Sequence, residues 1–426
     1  MKPTVLLLTM MGAILLACSG VVLAESTTPT TSQSDSPKKT EKEKISGSYI
    51  VVLNDNEDPD QVVEKKKQEI GDLKVKHVYK NALKGFTVEI PDQEASKLRD
   101  NPEVKYVEQD QVATATAQND NPNDSAKRKR HKRKHRSGGG GTTPPAQQLP
   151  WGIDKIDADL SSTLAGNGSG TVDGVKAYII DTGIYTTHPD LNVSTTDGVS
   201  YVNDGHGIND CAGHGTHVAG TVAAKDNAYY VVGAAPGAQL VSVRVLDCQG
   251  LGTYSNIIAG VDWVTQHAAG TPAIANMSLG GGLSQALNEA VAKSAAAGIF
   301  YSLAAGNDGA GACNSSPAAA GVNDGVMTVG ATDSSDHAAS WSNYGPCVDI
   351  WAPGVSILST RNGGGTTTMS GTSMASPHVG GGGALYRSKH TGDPKAVEAA
   401  LKSAAQSTGT RSKDGRAITR EYVRSF

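Results

Sequence analysis

Phenylalanine is nearly absent: the 426-residue chain carries 3, and aromatic residues make up 5% of it. Small and aliphatic side chains must therefore fill most of any core. No cysteine pair is spaced C-x-x-C, which argues against a zinc site built on paired thiolates. After the apolar stretch at residues 5–17, no other run is long enough to span a membrane. Aromatic residues are also missing from the one dense basic run, residues 127–136, so stacking on nucleic-acid bases has no support there. What is plentiful is glycine, at 50 residues, as close-packed backbone and many tight turns would require.

The length exceeds one average domain and allows a large buried core. Lys2, the apolar residues 5–17 and Val22-Leu23-Ala24 before Glu25 have the layout of a secretory signal peptide at residues 1–24. Lipoprotein processing at Cys18 is the rival, and Leu16 suits it poorly. Residues 25–47 are rich in Ser, Thr, Pro and Lys with few apolar positions, a disordered linker. Next comes a small domain: strand patterns at 49–53, 85–90 and 105–108, with helix patterns at 59–70 and 93–100. Residues 119–148 join the basic run, four glycines and a proline pair, from which no core can form. A solvated linker, a dibasic processing site and a polyanion-binding arm compete there.

From Trp151 onward strands alternate with helices. Strands are expected at 177–180, 239–245, 273–279 and 299–304, and helices at 214–224, 255–268, after Ser373 and from Asp393-Pro394. That alternation predicts an α/β fold with a parallel sheet covered on both faces, and a site at the strand C-termini. Four cysteines remain beyond Cys18, namely Cys211, Cys248, Cys313 and Cys347. An even number in a secreted chain suggests disulfides, and the sequence leaves three pairings open.

Three motifs stand in order: Ile179-Ile180-Asp181-Thr182-Gly183, Gly213-His214-Gly215-Thr216-His217 and Gly371-Thr372-Ser373-Met374-Ala375-Ser376-Pro377-His378. Nucleophilic hydrolysis needs a hydroxyl that attacks, an imidazole that takes its proton and a carboxylate that fixes the imidazole tautomer. Two histidines at i and i+3 with no glutamate between them lack the helical metal-site spacing.

In these motifs the chain resembles the subtilisin-like serine proteases, in particular the aqualysin-like members of the proteinase K group, over about 151–401. Residues 48–118, closing on Tyr106-Val107-Glu108-Gln109-Asp110, resemble the family's inhibitor-type propeptide. The resemblance implies a subtilisin-like three-layer fold with a mostly parallel central sheet at 149–426, preceded by a small α+β propeptide domain. It implies Asp181 as orienting acid, His214 as general base, Ser373 as nucleophile and Asn307 as oxyanion donor. Gly250, Leu251 and Gly252 with Ser278, Leu279 and Gly280 would pair with the substrate backbone. Ala304, Ala305 and Gly306 would line a pocket for large apolar side chains, and Tyr254 would cover a more distant subsite. The implied disulfides are Cys211–Cys248 and Cys313–Cys347. A structural calcium ion is implied at Asp349, completed by the carbonyls of Asp324 and Val326. The expected partners are polypeptide substrates and the protein's own propeptide, whose tail at 111–118 would lie in the cleft. A secreted monomer with no nucleic-acid partner and no membrane anchor is expected, cut between about 112 and 121. One departure stands out: the helix after Ser373 contains Gly380-Gly381-Gly382-Gly383, which local propensity says should loosen it.

Overall fold

The computed structural model describes residues 44–70, 73–119 and 144–426. The signal-like stretch, nearly all of the first linker and the basic run lie outside them. No helix among the described residues is long and apolar enough to cross a membrane.

The first part of the chain folds as β1 (Lys44–Leu53), α1 (Pro59–Ile70), β2 (Lys74–Tyr79), β3 (Gly85–Glu89), α2 (Asp92–Arg99) and β4 (Val104–Ala115). Strand β1 lies between β3 and β4, antiparallel to both. Tyr49 to Leu53 reads as a continuous apolar run because both faces of this sheet are covered. Tyr49, Val51 and Leu53 pack with Val62 and Leu98 of the unit's own helices. Ile50 and Val52 face the other way, into a cluster with Ile257 and Leu287. Strand β4 is far longer than the 105–108 expected, because its second half leaves this sheet and pairs elsewhere.

A two-residue strand β5 (Gln118–Asn119) follows, and then the larger part of the chain. Its elements are α3 (Trp151–Lys155), β6 (Lys176–Asp181), β7 (Val193–Ser200), α4 (His214–Ala223), β8 (Gln239–Arg244), β9 (Leu251–Thr253) and α5 (Tyr254–His267). There follow β10 (Ala273–Met277), β11 (Leu279–Gly280), α6 (Gln285–Ala296), β12 (Ile299–Ala304), β13 (Val326–Thr332) and β14 (Ile350–Pro353). The chain closes with β15 (Ile357–Thr360), β16 (Thr366–Ser370), α7 (Thr372–Lys389), α8 (Pro394–Ala404), β17 (Gln406–Arg411) and β18 (Ala417–Arg420).

The central sheet has 9 strands in the order β17-β18-β14-β13-β12-β10-β6-β8-β7. All its pairs are parallel except β17 with β18. Alternation along one strand splits the core in two. Ala177 and Ile179 of β6 face Val222 of α4 and Val379 of α7. Tyr178 and Ile180 face Ile257 of α5 and Val291 of α6. Helices therefore cover both faces, as the strand-helix alternation predicts. The first unit sits on the α5–α6 side, where Ile50, Val52, Tyr79 and Leu83 join that second core.

Helix α7 is unbroken through its four glycines, contrary to the loosening expected from propensity. Each glycine admits a neighbour instead. A Cβ on Gly381 would stand 2.5 Å from that of Ala234, and one on Gly383 would stand 2.7 Å from the Phe300 ring. At Gly382 the intruder is the Glu421 carboxyl, 2.3 Å from the added carbon. Burial drives the Glu421 pKa well above the usual carboxylate value.

Candidate active site

The C-terminal end of β6 and the first turns of α4 and α7 converge. Asp181 ends β6, His214 opens α4 and Ser373 is the second residue of α7. All are buried. Asp181 Oδ1 lies 2.7 Å from His214 Nδ1 and also accepts the Thr182 amide at 2.7 Å. Gly215 keeps this approach open, since a Cβ there would stand 2.1 Å from the Gly183 carbonyl oxygen. Burial opposes a charge on His214, yet the Asp181 carboxylate outweighs it and raises the imidazole above its ordinary 6.5.

Two residues that the motif reading did not single out hold this geometry. Asp210 is buried and accepts from the Thr182 and Thr216 hydroxyls at 2.9 and 2.5 Å and from the Gly213 and Thr216 amides at 2.8 and 2.9 Å. It thereby supplies an acceptor to the otherwise orphan amides at the start of α4. The second such residue is Thr372, at the start of α7. Its amide and hydroxyl donate to Asn307 Oδ1 at 2.9 and 2.8 Å, which turns the Asn307 amide nitrogen outward. The second histidine of the motif, His217, donates from Nε2 to the Ile357 carbonyl at 3.0 Å. Burial pushes its pKa down to about 3, so it is a neutral core residue.

The described chain itself fills the cleft. Strand β4 runs antiparallel between β9 and β11: Ala113 faces Gly252, Thr114 faces both Leu251 and Gly280, and Ala115 faces Leu279. The Ala115 amide donates to the Gly250 carbonyl at 2.8 Å. Asn307 Nδ2 then donates to the Thr116 carbonyl at 2.6 Å. Beyond that carbonyl, β5 pairs antiparallel with Met369 and Ser370 of β16. Gly371 must be glycine for this passage, because a Cβ would stand 2.5 Å from the Thr116 oxygen. Of the residues expected to pair with a peptide, Gly250, Leu251, Gly252, Leu279 and Gly280 pair with this strand, while the Ser278 carbonyl accepts the Ser373 hydroxyl instead.

Ser373 Oγ donates to the Ser278 carbonyl at 2.9 Å and lies 2.7 Å from Thr116 Oγ1. His214 Nε2 is buried with no hydrogen-bond partner among the described residues. No hydrogen bond joins Ser373 to His214. With β4 in the cleft, Tyr254 is fully buried, donates to the Gly282 carbonyl at 2.5 Å and shares a cluster with Ala113 of that strand. Ala304 ends β12 and Ala305 follows it, both buried, and Gly306 comes next with φ +102° against Asn343.

The disulfides are Cys211–Cys248 and Cys313–Cys347, with Cα atoms 5.0 and 5.4 Å apart. Closing loops of about 35 residues, each is worth roughly 4 kcal/mol in the chain-entropy picture. Asp204 and His206 gather beside the first, but its sulfurs are bonded to each other and Asp204 is bidentate on Arg244 at 2.6 and 2.5 Å. The expected calcium position fares differently from the rest. Asp349 Oδ1 carries the Lys402 ammonium at 2.7 Å and Asp349 Oδ2 the Thr328 amide at 2.8 Å. With an ammonium seated on it, the Asp349 carboxylate as arranged does not fit a bound calcium ion.

Residues 173–421 match the subtilase family, and residues 48–116 match the peptidase inhibitor I9 family. The extracellular serine proteinase of Thermus sp. (strain Rt41A) is 43% identical over 335 residues, 77% of this chain and 72% of that protein. Alkaline serine exoprotease A of Vibrio alginolyticus is 40% identical over 341 residues, 79% of this chain and 58% of the relative. The crystal structure of a cold adapted subtilisin-like serine proteinase shares 43% identity at a TM-score of 0.57, covering 64% of this chain and 97% of that one. Fold and relatives together define a serine endopeptidase, a hydrolase, joined to an inhibitor-type domain. The chain belongs to the subtilase family.

Proposed function

We propose that this chain is the precursor of a secreted endopeptidase whose first substrate is its own Thr116–Ala117 bond. The observation that carries the reading is the Thr116 carbonyl, held 2.6 Å from the Asn307 amide while the strands on either side of it are pinned to the cleft. This narrows the expected interval of cutting, about 112–121, to one bond.

The chemistry follows from the side chains. Ser373 turns from the Ser278 carbonyl toward His214 Nε2, whose lone pair is free once Nδ1–H is committed to Asp181. The hydroxyl proton passes to Nε2 as Oγ bonds to the Thr116 carbonyl carbon. The resulting oxyanion is met by Asn307 Nδ2 and by the Ser373 amide, one of the unpaired donors in the first turn of α7. His214 returns the proton to the Ala117 nitrogen, the C–N bond breaks, and water later hydrolyses the acyl-enzyme.

The same cleft then takes other polypeptides. Strand pairing through β9 and β11 reads main chain rather than side chains, giving broad specificity. The small residues Ala304, Ala305 and Gly306 favour a large apolar or aromatic residue before the cut. Until it leaves, the N-terminal domain blocks the cleft, which makes the uncut chain and the first nicked product inactive. The enzyme acts as a secreted monomer. The relatives with extracellular proteinase names support the secretion.

Intact mass and N-terminal sequencing of the secreted wild type beside Ser373→Ala test this. Wild type should start at Ala117, or further on if trimmed, and Ser373→Ala should keep its N-terminal domain. Identical cutting of both would reject self-processing.

A further inference from the structure

Lys402 is the unexpected occupant of the calcium position. It lies on α8, one turn after Glu398, and its ammonium reaches Asp349 Oδ1 at 2.7 Å and Glu398 Oε1 at 2.6 Å. Both carboxylates are shielded, with 9% and 13% of their side chains exposed. Their remaining oxygens are taken as well. Asp349 Oδ2 accepts the Thr328 amide at 2.8 Å, and Glu398 Oε2 accepts the Gly325 amide at 2.6 Å. One ammonium thus joins an acid before β14 and an acid on α8, while backbone amides flanking the start of β13 hold the outer oxygens.

Calcium asks for six to eight oxygen ligands at about 2.3–2.6 Å. Here an ion would have to displace Lys402 from between two shielded acids and then share the space with an ammonium. Conversely, removing the ammonium alone would leave two partly buried carboxylates facing each other, which is costly unless another cation arrives. We propose that Lys402 does by side chain what the family resemblance assigns to calcium: it ties α8 to β13 and β14, and the protein takes up no calcium at Asp349. The consequence is a protease whose C-terminal packing at this position does not depend on calcium.

The test is calcium titration by calorimetry on the full-length Ser373→Ala chain, which does not digest itself. Lys402→Met and Asp349→Asn are added to that background singly and together. The expected result is the same calcium stoichiometry for the parent and Asp349→Asn. Lys402→Met should gain one equivalent, which the double variant loses. The thermal unfolding midpoint of Lys402→Met should rise on adding calcium by more than the parent's does. A calcium equivalent in the parent that disappears in Asp349→Asn would overturn the proposal. So would a folded Lys402→Met that gains none. Should Lys402→Met fail to fold, the parent against Asp349→Asn still decides whether calcium binds at Asp349. Lys402→Arg, which keeps the charge, should bind calcium as the parent does.

Discussion

Helices α7 and α8 are neighbours that obey opposite rules. Helix α8 has 11 residues, an Asp393 cap whose carboxylate accepts the Ala396 amide, a proline at its first turn and a buried stripe of Val397 and Leu401. Local propensity and periodicity explain all of it. Helix α7 has 18 residues, a proline and four consecutive glycines inside, and is buried from Thr372 to Leu385. By propensity alone it should be the weaker helix, yet it carries Ser373, the proposed nucleophile. A helix buried on every side is selected for how closely its neighbours can approach, and glycine allows the closest approach. A surface helix is selected for its ends and its stripe.

The largest way to break the comparison acts at the N-terminus of α7. Asn307→Ala removes both the donor to the Thr116 carbonyl and the acceptor for Thr372. Self-cleavage of refolded precursor, followed by gel densitometry, should slow about 10²–10³-fold, a range measured in subtilisin, a member of the same family. The pH dependence comes next. His214 must be neutral to accept the serine proton, and its pKa is raised above 6.5 in the precursor. The self-cleavage rate should therefore fall as pH drops through a midpoint above that value, by about tenfold per unit below it. A midpoint below 6.5 would mean that burial of the imidazole outweighs the Asp181 carboxylate.

Smaller effects separate the two helices directly. Gly381→Ala gains about 1 kcal/mol of propensity but sets one methyl 2.5 Å from the Ala234 methyl. Overpacking of about 1–3 kcal/mol should win, so urea unfolding in the Ser373→Ala background should show net destabilisation. A stabilised variant would mean that the glycine run is not there for packing. At α8, Asp393→Ala should cost about 1 kcal/mol in the same assay and leave self-cleavage rates unchanged.

The Asp181, His214 and Ser373 motifs were legible because each is local: an acid at a strand end, and a histidine and a serine opening helices, with glycines where backbones must meet. The groups that hold them were not. Asp210 bonds groups on two elements, and nothing in Gly207-Ile208-Asn209-Asp210 sets it apart from a turn. Thr372 was inside a quoted motif, but its bond to Asn307 spans 65 positions. The second half of β4 was missed because Val112 to Ala115 has little strand pattern of its own. It is a strand because β9 and β11 offer it edges.

What the sequence determined by itself was the family, the order of acid, histidine and serine, the layering of the fold and the presence of an inhibitor-type domain. These rest on short-range patterns. Tertiary structure alone decided which peptide bond lies on the Asn307 amide, why four glycines make a sound helix, and that Lys402 rather than an open carboxylate faces the expected calcium position. Each of those depends on distances between residues remote in the chain, and burial, not propensity, sets their energies.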